Sequence, residues 1–225
     1  MNDGARLLVF VRFPERGKVK TRLARSVGHD AALALYRCFV ADAIALSRKS
    51  GRRLLVFYDP PGSREAMIHW LGSDLTYVAQ AGSDLGGRMD AAFLRAFQDC
   101  MRAVLIGSDC PDLPPVILDE AFTSLESHDV VIGPSVDGGY YLIGLSSTAQ
   151  VLPAIFQGID WGSSTVFEAT LKSLARNGAD VHILPRWRDI DERADLAALL
   201  SRQSDLPRGR LLTVDYLRDH GFGEP

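Results

Sequence analysis

Apolar and polar positions alternate along this chain with two different periods, and the period switches at short intervals. Compact apolar runs at 6–11, 53–58, 75–79, 103–106 and 130–133 are bounded by Gly, Pro or charged residues, the form taken by strands buried on both faces of a parallel sheet. Between them lie longer segments at 31–50, 63–71, 85–100 and 115–127 with apolar residues at helical spacing, for example Leu33, Tyr36, Val40 and Ile44 on one face. Strand and helix therefore alternate, which predicts an α/β fold with right-handed crossovers. Beyond 133 the pattern changes. Asp137-Gly138-Gly139 reads as a tight turn into an apolar run at 140–145, so a hairpin brings an antiparallel strand into the parallel sheet. A helix at 166–177, a strand at 179–184 and helices at 194–200 and 211–220 complete the chain. The expectation is a three-layer α/β/α, Rossmann-like domain on a mostly parallel mixed sheet.

The helix boundaries carry their own signals. Asp30, Ser83 or Asp84, Ser163 or Ser164, and Asp191 stand where N-caps are expected, with Gly51 closing the first long helix. Asp109 and Asp112 also have a capping reading, for the helix that begins near Pro114.

Composition narrows the function. The 225 residues are 47% hydrophobic and 24% charged, enough for one large core; the tail from Ser201 is more polar and holds Pro207 and Gly209, so 1–200 is taken as the domain and 201–225 as its extension. A net charge of -3 and a pI near 5.9 argue against a nucleic-acid partner. No apolar run reaches the roughly 18 residues of a membrane span, and 7–11 is too short for a signal-peptide core. Cys38, Cys100 and Cys110 show no CxxC spacing, which points to a reducing compartment without a zinc site; the cytoplasm is expected.

The candidate chemistry gathers after the strands, where open α/β sheets bind ligands. Asp109 follows the 103–106 run in Gly107-Ser108-Asp109-Cys110-Pro111-Asp112, placed to offer oxygens to a hard cation. After the first strand, 12–25 holds Arg12, Arg16, Lys18, Lys20, Arg22 and Arg25 against Glu15 alone. Such crowding is relieved by a polyphosphate held in charge-assisted bonds, or by solvent alone. No GxxxxGK[ST] or GxGxxG pattern is present, so P-loop and dinucleotide readings lose their support. Gln80, Gly87 and Arg88 flank a glycine-rich helix start that suits a base or phosphate. Gly138, Gly139 and Tyr140 offer a floor for a flat sugar or base, with Asp137 accepting hydroxyl bonds, and Trp161 offers a shelf for a ring. Asp189 either shares the capping reading or, with Asp191 as the cap, meets Asp109 across a cation.

Several stretches occur in the order found in one bacterial family. They are Phe13-Pro14 through Lys18-Val19-Lys20-Thr21-Arg22-Leu23, Leu85-Gly86-Gly87-Arg88-Met89, Ile106 to Leu113, Gly133-Pro134 with Asp137 to Tyr141, and Asp189-Ile190-Asp191. Together they resemble the bacterial glycosyltransferases of GT-A type in the nucleotide-diphospho-sugar transferase superfamily. Relatives in the same fold include the 2-phospholactate and molybdenum-cofactor guanylyltransferases. The resemblance implies a nucleotide or nucleotide-sugar ligand with a small-molecule acceptor, phosphates on Lys18, Lys20 and Arg22, and Mg²⁺ or Mn²⁺ on Asp109, which Asp189 could share by its place after the last strand. Asp137 as base and Lys20 as a stabilising cation would carry the chemistry. The glycine-rich GxGxR opening of many sugar nucleotidyltransferases is missing, and Ser108-Asp109 stands where others have a DxD triplet. Glycosyl transfer is the leading expectation; nucleotidyl transfer with release of pyrophosphate and nucleotide binding without turnover are the alternatives.

Overall fold

Residues 4–148 and 155–222 are described by the computed structural model. Seven strands, β1 (Ala5–Arg12), β2 (Arg53–Asp59), β3 (Thr76–Ala79), β4 (Arg102–Ile106), β5 (Val130–Pro134), β6 (Tyr140–Ser146) and β7 (Val181–Ile183), form one sheet in the order β3-β2-β1-β4-β6-β5-β7. Strand β6 pairs antiparallel with both β4 and β5, whereas the other pairings are parallel. The expected mixed sheet is thus present, and its reversed strand is the one the Asp-Gly-Gly turn produces. Central β1 is covered on both edges, with Val9 opposite Val56 on one side and Ile106 on the other.

The helices are α1 (Thr21–Val27), α2 (His29–Lys49), α3 (Arg64–Leu71), α4 (Leu85–Ala96), α5 (Pro115–Ser124), α6 (Val166–Arg176), α7 (Arg193–Arg202) and α8 (Leu212–Asp219). Successive strand residues face opposite layers. Leu7, Val9 and Val11 of β1 join a core with Phe39 of α2, Ile117 of α5 and Leu196 of α7, while Leu8 joins Met89 and Phe93 of α4 and Leu174 of α6 on the other face. Phe39 and Phe93 are fully buried, and truncating either to Ala should cost about 3–5 kcal/mol.

Several boundaries differ from the sequence reading, each for a local reason. The basic stretch is not loop throughout, because α1 begins at Thr21 behind Lys20, whose backbone is left-handed at φ 46°. Helix α2 begins at His29 after Gly28, so Asp30 lies inside the first turn and pairs with Arg16 at 2.6 Å instead of capping. Glu192 caps α7 in a capping box with Asp195, which frees Asp191 for another task. Neither Asp109 nor Asp112 caps α5, whose N-cap is Pro114. Thr165 occupies the N-cap position of α6, without a side-chain bond, in place of Ser163 or Ser164. Asp84 does cap α4, accepting from the Gly87 amide at 2.7 Å. The C-terminal α8 is tied to α2 by the buried Asp42, whose carboxylate accepts from the Leu212 and Thr213 amides, both at 2.9 Å. No helix among the described residues is long and apolar enough to cross a membrane.

Candidate active site

Because the strands other than β6 point the same way, their carboxyl ends share one edge, and the turn into β6 opens there too. Arg12 ends β1, Asp59 ends β2, Gln80 follows β3, Asp109 follows β4, Ser135 and Asp137 follow β5, and Asp189 and Asp191 follow β7. The strand order reverses direction between β1 and β4, which is where such sheets open a crevice. A cleft of about 520 Å³ lies there, bounded by Arg12, Lys18, Arg22, Gln80 and Arg88. A second hollow of about 370 Å³ adjoins it on the β5 and β6 side, lined by Asp137, Asp189, Tyr140 and Trp161. Arg22, Asp109, Tyr140 and Asp191 border both.

Lys20 is the hub between the two hollows. Its side chain is only 5% exposed, and its ammonium donates to the Ile190 carbonyl at 2.6 Å, to Asp191 at 2.8 Å and to Asp109 at 2.9 Å. Burial alone would lower its pKa, but Asp109 and Asp191 outweigh burial and leave the group more basic than an ordinary lysine. Its three donors are already taken, so in this arrangement Lys20 braces two carboxylates. The backbone supports the same join, since the Ile190 amide donates to the Asp109 carbonyl at 2.9 Å.

Cations with spare capacity surround the larger hollow. Arg22, 64% exposed, sits 3.7 Å from Asp191, and Lys18, 60% exposed, pairs with Glu15 at 2.6 Å. Arg12 and Arg88 both approach Asp59, at 3.6 and 3.4 Å. Gln80 is committed at both ends: its amide donates to the Phe57 carbonyl at 3.0 Å and its oxygen accepts from Arg88 at 3.2 Å. It therefore orients Arg88, with a base edge reaching it only by exchange of those bonds. The Gly87 amide is spent on the Asp84 cap and is not presented to the cleft.

Opposite the cations stand three carboxylates, Asp137, Asp189 and Asp191, with one oxygen of each within 4.8 Å of the others. Burial, then Asp137 and Asp191, push the Asp189 carboxyl up to about 6, partly offset by Lys20. Ser135 donates to Asp137 and, at 3.3 Å, to Asp189. Such crowded anions favour a cation among them. Asp109 stands outside this group, although it borders the same space. Asp191 and Asp137 join Asp189 there, whereas the sequence had assigned Asp191 to a cap and Asp137 to hydroxyl binding and base chemistry.

The glycine turn is built for packing. Gly138 has φ +95°, and a Cβ on it would lie 1.9 Å from the Ser164 carbonyl oxygen, so the turn docks directly on the segment entering α6. Gly138 is thus filled by protein instead of flooring a substrate; Gly139 does border the second hollow, and its amide donates to Asp137 at 3.0 Å. Trp161 stands edge-on to Tyr140, at 6.3 Å between ring centroids, and its ring is packed on Gly86, where a Cβ would come within 2.7 Å of it. Cys110 is buried, and burial with Asp109, Asp189 and Asp112 nearby raises its thiol well above the usual range, so it is no nucleophile.

Reading by sequence missed two groups in the cleft. Tyr36 of α2 reaches across to β1, where its hydroxyl accepts from the Arg12 amide at 2.9 Å and donates to the Arg12 carbonyl at 3.1 Å. Asp59 ends its strand as Asp109 follows its own, and that shared position was the signal available.

Comparison with known proteins places the chain in a family. The family described as "Uncharacterized protein conserved in bacteria (DUF2064)" matches residues 42–163. The chain belongs to this family. A crystal structure described as a "putative nucleotide-diphospho-sugar transferase" from Desulfovibrio desulfuricans G20 is 39% identical, with a TM-score of 0.93, over 97% of this chain and 96% of that one. The resemblance drawn from the motifs is thereby borne out. The family's fold extends to more distant structures. Rv0371c from Mycobacterium tuberculosis H37Rv, in complex with manganese, is 16% identical with a TM-score of 0.54 over 88% of this chain and 98% of that one. The inositol-1-phosphate CTP transferase from T. maritima is 15% identical with a TM-score of 0.56 over 91% and 96%. No curated protein matches the sequence.

Proposed function

We propose that this protein is a metal-dependent transferase that moves a sugar from a nucleoside-diphosphate donor to an acceptor hydroxyl. The observation that carries the reading is the meeting, at the switch point of the sheet, of exposed cations with three carboxylates whose oxygens lie within 4.8 Å of one another. The activity named for the D. desulfuricans relative, over nearly all of both chains, supports it.

In this reading Arg12, Lys18, Arg22 and Arg88 hold the two phosphates, since guanidinium and ammonium groups recognise them by charge-assisted bonds. Asp189 and Asp191 hold Mg²⁺ or Mn²⁺, with Asp109 bordering the same space. When bound, the cation neutralises the diphosphate and stabilises the departing oxygen. Lys20 fixes Asp109 and Asp191 in place. Asp137, exposed at the rim of the second hollow, takes the proton of the acceptor hydroxyl as that oxygen bonds to the anomeric carbon. The bond from that carbon to the β-phosphate oxygen breaks, and the nucleoside diphosphate leaves.

The cations would equally suit a triphosphate, which is the basis of the nucleotidyl-transfer alternative. A thermal-shift panel of nucleoside mono-, di- and triphosphates and nucleotide-sugars, with and without Mn²⁺, separates the two. Ligand at a hundredfold excess over its dissociation constant stabilises by about 2.7 kcal/mol, so a real ligand is visible. The diphosphate or its sugar conjugate should give the larger shift, and only with the metal should the shift be full. Preference for a triphosphate, with pyrophosphate released, would overturn glycosyl transfer.

A further inference from the structure

The two hollows differ in charge. The larger one is bordered by five cationic side chains, Arg12, Lys18, Lys20, Arg22 and Arg88, against the carboxylates of Asp59, Asp109 and Asp191. The second is bordered by four carboxylates, Asp109, Asp137, Asp189 and Asp191, against Arg22 alone. Lys20 and one divalent cation would offset that excess without leaving positive charge to spare, and neighbouring Arg188 is already paired with Asp195 at 2.9 Å. An anion entering there would be desolvated beside four carboxylates with only Arg22 to pair it, and the donor phosphates already engage Arg22 in the transferase reading.

The walls are of two kinds. Trp161, Tyr140 and Val166 line one side, and the indole is held against Gly86 and edge-on to Tyr140. Ser135, Ser163, Asp137 and Asp189 supply hydroxyls and acceptor oxygens around it. A flat apolar wall facing several strong acceptors matches one chemistry well: a ring with C–H faces that pack on an indole and hydroxyls that donate to carboxylates.

We infer that the second hollow binds an uncharged polyhydroxylated acceptor, a sugar or cyclic polyol with free hydroxyls, against Trp161 and Asp137, and discriminates against the phosphorylated counterpart. The inference rests on the transferase reading, to which it adds the class of the second substrate.

The test is a ligand-observed saturation-transfer NMR titration on the full chain with nucleoside diphosphate and Mg²⁺. The probes are glucose against glucose 1-phosphate, myo-inositol against its 1-phosphate, and glucosamine as the cationic control. An uncharged member should bind at least about tenfold tighter than its phosphate ester, in the range one polar mismatch gives. Trp161→Ala should weaken that binding by about tenfold while nucleotide affinity, measured without metal, stays within about twofold, and Asp137→Asn should also weaken acceptor binding by about tenfold. If Trp161→Ala does not fold, Trp161→Phe should retain most of the binding and Asp137→Asn carries the result. Equal or tighter binding of the phosphate esters, a tenfold preference for glucosamine, or no transfer to any uncharged probe would overturn the inference. Binding of an uncharged probe with no nucleotide binding at all would instead sink the transferase reading and leave only a polyol-binding hollow.

Discussion

Replacing Lys20 with Met removes an ammonium but keeps the length and apolar stem that packs near Phe39, where the charged end lies 5.7 Å from the ring centroid. The loss is three hydrogen bonds, to Ile190, Asp191 and Asp109, and the only cation both carboxylates share among the described residues. Removing one partner of a buried ion pair costs about 3–5 kcal/mol, and bonds to charged groups about 1.5–3 kcal/mol each, but these do not add. Asp109 and Asp191 are 45% and 35% exposed, so water rehydrates them once the lysine is gone, which places the cost at the low end. We expect about 2–3 kcal/mol, or a melting temperature lower by about 4–12 °C for a chain of this size. The pH dependence has a fixed sign. Because the folded pKa of Lys20 is raised above its ordinary value of 10.5, its contribution is complete at neutral pH and fades only as pH climbs beyond that value. On the acid side the gap narrows as the carboxylates protonate and the mutant loses its uncompensated charges. Differential scanning calorimetry of both proteins from acid to alkaline pH checks this. Unchanged melting at neutral pH, or a gap that widens in acid, would refute the brace and return Lys20 to the phosphates.

Asp112, with a fully buried side chain, accepts from Arg202 at 3.0 Å and from the Trp187 indole at 3.2 Å, so Asp112→Ala should cost about 2–4 kcal/mol in urea unfolding. Gly138→Ala forces a Cβ onto the Ser164 carbonyl at positive φ and should lose about 3–5 kcal/mol, read as a fall in melting temperature or in soluble yield. Asp189 has a folded pKa of about 6, above the ordinary 3.8, so its ionisation opposes folding and metal-free stability falls as pH rises through that window. Asp189→Asn should therefore melt higher than wild type at pH above 7 without metal, lose that advantage at about pH 4, and fail to gain stability from Mn²⁺.

Local patterning settled the alternation of strand and helix, because burial on both faces leaves a continuous apolar run and amphipathic packing leaves a helical period. It also settled that carboxylates and cations follow the strands, since Asp109, Asp137 and Asp189 each come just after an apolar run or turn that fixes them. The antiparallel β6 was legible too, because Asp-Gly-Gly has the chemistry of a hairpin turn. What needed tertiary structure was the pairing of these groups. A cation cluster in a sequence looks like one phosphate site, yet Lys20 alone turns inward, through a left-handed residue, to meet Asp109 and Asp191 from strands far away in the chain. Asp191 looked like a helix cap, since a cap and a ligand-facing carboxylate are the same residue type in the same place. Only packing, which let Glu192 and Asp195 make the capping box, released it. Gly138 looked like a floor for a ligand, but its missing side chain admits the Ser164 backbone. Sequence specifies which groups reach the carboxyl edge of the sheet; strand order decides which of them meet, because it sets the distances over which charge and hydrogen bonding act.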